Sequence, residues 1–139
     1  MKSIISVGIG GVLGALVRYY ITVPLNSHDW FPVGTLIVNL VGSIFLAFFL
    51  TVILEYFQSS SYLVLAVSTG FTGSFTTFSS LSVEVVKIAE ASPLNALLYI
   101  GVSFIFGFLL SFAGRFVGKV FLTNMKSEET KLERIAEDE

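Results

Sequence analysis

A dense group of hydroxyl and glycine residues lies inside an uncharged apolar run that extends from Tyr62 to Val83. From Ser68 to Ser80, thirteen positions hold four serines, four threonines, two glycines and three phenylalanines. Such residues weaken a helix because they offer its backbone other partners. Within lipid, irregular backbone persists only where it is buried in protein or lines a water-filled cavity. The pattern predicts a helix that is broken at mid-membrane, where Gly70 and Gly73 flank the densest polar cluster. Such a break exposes carbonyl oxygens to an ion. The alternative is a tight helix contact whose hydroxyls bond to their own turn.

Two other apolar runs carry polar residues at every fourth position, which places them on one face of a helix. One run contains Thr35, Asn39 and Ser43, and the other contains Tyr99, Ser103, Gly107, Ser111 and Arg115. An asparagine amide offers two N–H groups, which suit an anion. Hydrogen bonding between helices explains the same residues equally well.

The first apolar run combines small residues with one cation. Gly10 with Gly14, and Gly11 with Ala15, have the spacing that allows close helix contact, and Gly114 with Gly118 repeat it later in the chain. Arg18 follows one turn later and is either a cation that draws anions into a vestibule or an arginine that snorkels to the interface.

The remaining composition excludes several classes of function. No apolar run holds an acid in its middle, because Glu55 and Glu84 lie at or near run ends, and this argues against a proton-coupled exporter. There is no cysteine, and the one histidine, His28, lies in a predicted loop, so we expect no enzyme. The net charge of -2 without a basic patch gives no reason to expect nucleic acid. Amide N–H groups, hydroxyls and aromatic ring edges suit a small anion, whereas carbonyls suit a hard cation such as sodium.

These residues must be positioned by membrane-spanning helices. The chain has 139 residues, of which 54% are hydrophobic and 13% charged, about half the usual charged share, so we expect a multi-pass protein of the cell membrane. Four apolar runs are long enough to span a bilayer, namely Ile4–Leu25, Val33–Leu54, Tyr62–Val83 and Leu94–Gly114. The predicted connections, Asn26–Pro32, Glu55–Ser61 and Val85–Pro93, are short and place both termini on one side. We expect a membrane domain over residues 1–123 and a polar tail over residues 124–139. Four short spans enclose a pore poorly, so oligomerisation is expected.

The motifs in these runs resemble those of the fluoride channel family, Fluc or CrcB. The matching segments are Gly10–Tyr19, Gly34–Gly42, Gly70–Ser79, and the pair Tyr99 and Ser103. The resemblance covers nearly all of residues 4–120 and leaves only the tail outside.

The resemblance implies an all-α membrane protein of four transmembrane helices, which forms an antiparallel, dual-topology dimer around the broken third helices. It implies a structural sodium ion held by the backbone carbonyls of Gly73 and Thr76 from both subunits. Two passive fluoride pathways would follow the subunit interface. Fluoride that enters acidified cells as neutral HF would leave through them down its gradient.

The resemblance also assigns roles to individual side chains. Asn39 would donate to fluoride, and Phe78 would present its ring edge. Polar tracks would include Thr77, Ser79, Tyr99 and Ser103, and Arg18 would lie at a vestibule.

One residue departs from the family pattern, which has a second pore phenylalanine where this chain has Leu81. Leucine has no electropositive edge, so a pathway lined by Leu81 should conduct poorly. Cations are also biased towards the terminal side (Lys2, Arg115, Lys119 and Lys126, against Arg18 and Lys87), which favours one orientation. The chain is therefore either a homodimeric channel or a partly degraded or non-conducting subunit that pairs with a related chain. A small multidrug exporter is a weaker alternative, since it requires a membrane-embedded glutamate.

Overall fold

The computed structural model describes residues 1–26, 31–55 and 61–137, and every element within these residues is helical. Helix α1 spans Lys2–Asn26 and α2 spans Val33–Glu55. The third segment, residues 61–91, consists of α3 (Ser61–Val64), a π-helical stretch (Leu65–Thr72), α4 (Gly73–Phe75) and α5 (Phe78–Ala91). Helix α6 spans Pro93–Glu137. The predicted loop that contains His28 lies outside the described residues.

Three of the described helices, α1, α2 and α6, are long and apolar enough to cross a membrane. Most of their large apolar side chains are exposed, including Ile4, Leu13 and Phe108, as expected for surfaces in contact with lipid or another protein. The chain is therefore a multi-pass membrane protein. In the third segment the helical pieces are shorter, because the backbone changes from π-helical to α-helical at Gly73 and becomes extended at Thr76.

The predicted connection Val85–Pro93 is wrong, because α5 continues through most of it to Ala91. Only Ser92 separates α5 from α6, with an extended backbone (φ -156°, ψ 105°) and an N–H that donates to the Ile88 carbonyl. Proline at the next position explains this abrupt end. It disfavours the α conformation at the residue before it and suits the first turn of the following helix.

Glycines allow the closest contacts between helices. A β-carbon on Gly10 would overlap the carbonyl of Ala66, and one on Gly14 would overlap the carbonyl of Phe71, both in the π-helical stretch. On α6, a β-carbon on Gly114 would overlap the carbonyl of Ile44 in α2. The close approach that the small-residue spacing predicts is confirmed on α1 and α6.

Helix α6 continues without interruption for 45 residues, through the apolar run and into the polar tail. The change in composition near residues 123 and 124 is thus not a change in secondary structure. On the surface of the tail, Lys131 and Glu128 lie one turn apart and form a salt bridge, with a distance of 2.7 Å between Nζ and Oε1.

Candidate ion-binding site

The helical backbone of the third segment stops at two threonines. Thr76 (φ -81°, ψ 157°) and Thr77 (φ -149°, ψ 115°) are extended, and α5 begins at Phe78. Gly73 keeps helical angles (φ -64°, ψ -28°), and Gly70 lies within the π-helical stretch. None of the described residues has a positive φ. The interruption therefore uses the extended conformation that β-branched residues favour, rather than the conformational freedom of glycine.

The hydroxyls before the interruption bond to their own backbone. Ser68 donates to the Val64 carbonyl, Thr72 to that of Val67, and Thr76 to that of Thr72. The bond from Thr72 reaches five residues back, which matches the wider π-helical turn. For these three side chains, the alternative of hydroxyls bonded to their own turn is the arrangement found.

Asn39 of α2 fixes the extended segment through two hydrogen bonds. The Thr77 N–H donates to Oδ1 of Asn39 over 2.8 Å, and Nδ2 of Asn39 donates to the Thr77 carbonyl over 3.1 Å. In a continuous α-helix the Thr77 N–H would donate to the Gly73 carbonyl instead. One N–H of the Asn39 amide is thus committed to Thr77, and the second is available for another acceptor.

Thr77 also begins α5. Its side-chain oxygen accepts from the Ser80 N–H over 3.1 Å, which caps the helix, and it donates to the Ser80 hydroxyl. The Ser79 hydroxyl lies 3.2 Å from the same oxygen. The hydroxyls of Ser79 and Ser80 therefore both contact that of Thr77 at the start of α5.

The backbone around the interruption has the donor atoms for a hard cation. Diversion of the Thr77 N–H to Asn39 removes the usual i+4 donor of the Gly73 carbonyl, and the ψ of Thr76 turns its carbonyl away from the helix axis. Gly73 faces open space, since nothing lies within 4 Å of where a β-carbon would be. Among the described residues, no cluster of three or more acidic, histidine or cysteine side chains could bind a metal ion. The peptide carbonyls of Gly73 and Thr76 are oxygen atoms of the kind that hard cations prefer as ligands.

A groove of about 430 Å³ runs beside the extended segment. Its polar lining comes from α2, the interruption and α6, namely Asn39, Ser43, Thr72, Thr76, Thr77, Ser103 and Ser111. Phe78 also lines it and is 71% exposed, so its ring is available to a molecule outside the protomer. Ser43 and Ser103 each donate to the carbonyl four residues earlier, and these hydroxyls would have to turn to reach an anion.

Leu81 differs from Phe78 in its environment. It lines the same groove but is only 7% exposed, and it packs in a small core with Ile88, Ala96 and Tyr99. The groove therefore presents one aromatic ring and one aliphatic side chain from α5.

A second cavity, of about 420 Å³, lies on the other side of Thr77. Its lining is mostly polar and includes Arg18, Thr22, Asn26, Thr35, Thr77, Ser80 and Glu84. Arg18 is half-buried and forms no salt bridge with any of the described residues. Because Thr77 lines both spaces, the groove and this cavity each adjoin the interruption.

Comparison with known proteins places this architecture in a family. Residues 5–115 match the family model described as CrcB-like protein, Camphor Resistance (CrcB). The chain belongs to the CrcB family. The match includes most of α1, all of α2 and the third segment, and the part of α6 that lines the groove.

Several relatives of this CrcB chain have names that state a function. The "Fluoride-specific ion channel FluC" of Thermosipho melanesiensis is 39% identical over 122 residues, which are 86% of this chain and 97% of that protein. The "Fluoride-specific ion channel FluC 1" of Bacillus cereus is 39% identical over 127 residues, or 89% and 88% of the two chains. A protein of that name from Latilactobacillus sakei is 40% identical over 112 residues, or 80% and 83%.

Sequence reasoning missed the part that Glu84 takes in this CrcB chain. Glu84 lies inside α5 and is half-buried. It accepts hydrogen bonds from Thr35 (2.6 Å), Tyr99 (2.8 Å) and, at 3.5 Å, Asn26. The spacing of Thr77, Ser80 and Glu84 by three and four residues on one helix face was the available signal.

Tyr99 is consequently not a groove residue in the protomer. It is fully buried, and its hydroxyl donates to Glu84 rather than to the groove where Ser103 lies. The residues predicted to line the fluoride pathway thus fall into two groups. The first group lines the groove and consists of Asn39, Thr77, Phe78 and Ser103. Tyr99 contacts Glu84, which lines the second cavity together with Arg18, and Ser79 contacts Thr77.

Proposed function

We propose that this CrcB chain is a passive, fluoride-selective channel that exports fluoride from the cytoplasm. The observation that carries the proposal is the groove, in which the Asn39 amide, serine hydroxyls and the Phe78 ring surround an extended backbone. The names of the relatives, "Fluoride-specific ion channel FluC", supply the identity of the anion. The chain is accordingly a channel and not an enzyme.

The lining of the groove favours a small anion for an electrostatic reason. An anion that leaves water needs donors, and an amide N–H, hydroxyls and ring edges supply them without a fixed full charge. Weak, distributed donors allow the ion to leave again, which conduction requires. Arg18 lies in the adjoining cavity and would raise the local concentration of anions there.

The functional unit that we propose is an antiparallel, dual-topology dimer with four transmembrane segments in each protomer. The third segment, residues 61–91, would cross the membrane with its break near the middle. In a single protomer the groove would leave Thr76, Ser103 and the exposed Phe78 facing lipid. Polar groups that face hydrocarbon are costly, so a second copy that covers the groove would stabilise this surface.

Sodium is the cation that we propose for the dimer centre. Two carbonyl oxygens from each protomer, those of Gly73 and Thr76, would provide an all-oxygen site of the kind that hard cations prefer. A bound cation would also offset the cost of bringing an anion into the neighbouring groove.

Transport would be passive. Fluoride that enters acidified cells as neutral HF dissociates at cytoplasmic pH and is trapped as the anion. A fluoride-selective pathway lets it leave down its own gradient, and no proton-coupled step is required.

Fluoride efflux from liposomes that contain the purified chain tests this function. With a fluoride-selective electrode, we expect rapid efflux from fluoride-loaded vesicles and only background efflux of chloride. Protein-free liposomes provide the baseline. Equal rates for the two anions would exclude a fluoride-selective channel.

The second candidate is a subunit that conducts poorly and pairs with a related chain of opposite orientation. The observation that favours it is Leu81, which provides the groove with an aliphatic side chain anchored in a buried core. The same efflux assay separates the two, because a heteromeric subunit needs its partner. Full activity of this chain alone would rule out the obligate heteromer.

A further inference from the structure

Asn39 has a role that a simple anion donor does not require. Its amide pairs with both polar groups of the Thr77 backbone, at 2.8 Å and 3.1 Å, like a single rung of a β-ladder. The pairing also fixes the orientation of the amide, because the opposite orientation would oppose donor to donor and acceptor to acceptor. A helix residue is thus holding an extended segment in place.

The same face of α2 holds the preceding residue by packing. Gly42 lies three positions after Asn39, and a β-carbon on it would overlap the Thr76 methyl group. Thr76 is therefore seated against α2, while Thr77 is hydrogen-bonded to it. Two neighbouring contacts on one helix define the path of both extended residues.

We infer that Asn39 is a positioning residue for the cation site, in addition to any contact that it makes with the anion. This inference rests on the proposed function, since it concerns the carbonyls of Gly73 and Thr76 as sodium ligands. The Thr77 N–H donates either to Asn39 or, in a continued helix, to the Gly73 carbonyl. Asn39 excludes the second arrangement and keeps that carbonyl available to the cation.

The consequence is that one side chain serves two ions. One N–H of Asn39 is committed to Thr77, and the residue also lines the groove. Loss of Asn39 should therefore weaken sodium binding even when no fluoride is present. A residue that acts only on the anion would leave sodium binding unchanged.

The test measures the thermal unfolding midpoint of the purified full-length protein as sodium replaces an organic cation, without fluoride. Asn39→Ala removes both hydrogen bonds, and Asn39→Ser is a smaller change that removes them as well. Ser43→Ala is the matched control, because Ser43 lies one turn away in the same groove but donates only to the Asn39 carbonyl within α2. For either Asn39 variant we expect the sodium concentration for half-maximal stabilisation to rise about tenfold.

Asn39→Asp separates the two roles of the residue. One carboxylate oxygen still accepts from the Thr77 N–H, while the other opposes the Thr77 carbonyl, to which Nδ2 donates in the wild type. We therefore expect sodium stabilisation to weaken less than in Asn39→Ala, while fluoride efflux is lost. Wild-type sodium dependence in both Asn39→Ala and Asn39→Ser would overturn the inference and leave Asn39 as an anion donor alone. Absence of sodium stabilisation in the wild type would overturn it too, whereas fluoride-over-chloride selectivity of the wild type reports separately on the proposed function.

Discussion

One added negative charge at Asn39 should abolish ion conduction while the protein still folds. Asn39→Asp is nearly isosteric, but it places a carboxylate in the groove. We predict that fluoride efflux falls to background, because the carboxylate repels the anion. Asn124→Asp, at an exposed position on α6 outside the groove, controls for added charge. Normal efflux in the Asn39 variant would remove this residue from the pathway.

Phe78 tests whether a ring edge contributes to conduction. Phe78→Ile keeps an apolar side chain at this exposed position but removes the electropositive edge. We expect fluoride efflux to fall about tenfold, equivalent to about 1.4 kcal/mol. Phe112→Ile, on the exposed surface of α6 outside the groove, should conduct normally. Unchanged efflux in Phe78→Ile would favour the non-conducting subunit.

At the scale of elements, the contact between α1 and the π-helical stretch depends on glycine. Gly14→Ala would press a methyl group onto the Phe71 carbonyl, so we predict destabilisation by about 1–3 kcal/mol or failure to fold. Gly8→Ala is the matched control on the same helix, because nothing lies within 4 Å of its added carbon. Equal thermal midpoints for the two variants would contradict this packing.

Glu84 connects α5 to three other helices, through Asn26 of α1, Thr35 of α2 and Tyr99 of α6. Glu84→Ala leaves these donors without their acceptor, and we predict a loss of about 2–4 kcal/mol in stability. Glu90→Ala, at an exposed position on the same helix, should change it little. Thermal unfolding in detergent provides the comparison, and similar midpoints would show that the network contributes little.

Short-range patterns predicted some elements well and others poorly. Apolar length was enough to place α1 and α2, and small-residue spacing predicted the close contacts of Gly10, Gly14 and Gly114. The end of α5 was predicted too early, because polar residues after Val85 resemble a loop although they continue an exposed helix face. The position of the extended residues could not be predicted, because it depends on Asn39, which is distant in sequence from Thr77.

The site was predictable to a similar extent. Residue type and spacing placed Asn39 and Ser43 on one polar helix face and Tyr99 and Ser103 on another, and the groove brings Asn39, Ser43 and Ser103 together as one set. The separation of Tyr99 from that set depends on Glu84, whose contacts arise only when four helices pack. The buried position of Leu81 likewise depends on tertiary packing, which alternation and spacing do not encode.

At the scale of the whole molecule, the polar end of α6 lies outside the groove and the second cavity. The family match ends at residue 115, and neither cavity is lined by a residue beyond Ser111. We predict that deletion of residues 124–139 leaves fluoride efflux within about twofold of that of the full chain, because the deletion removes no hydrogen-bond donor from the groove. The liposome assay at matched protein density measures this. A loss above about tenfold would assign the tail a part in assembly or gating.

The uninterrupted length of α6 has a geometric consequence for the proposed dimer. Its 45 residues extend about 68 Å at about 1.5 Å per residue, more than twice the about 30 Å of a hydrocarbon core. In an antiparallel pair, the two projecting rods would stand in opposite aqueous compartments. A cytoplasmic protein that grips the rod would then capture only one of the two subunits, and a membrane-impermeant quencher added outside would extinguish only half the fluorescence of dyes attached there.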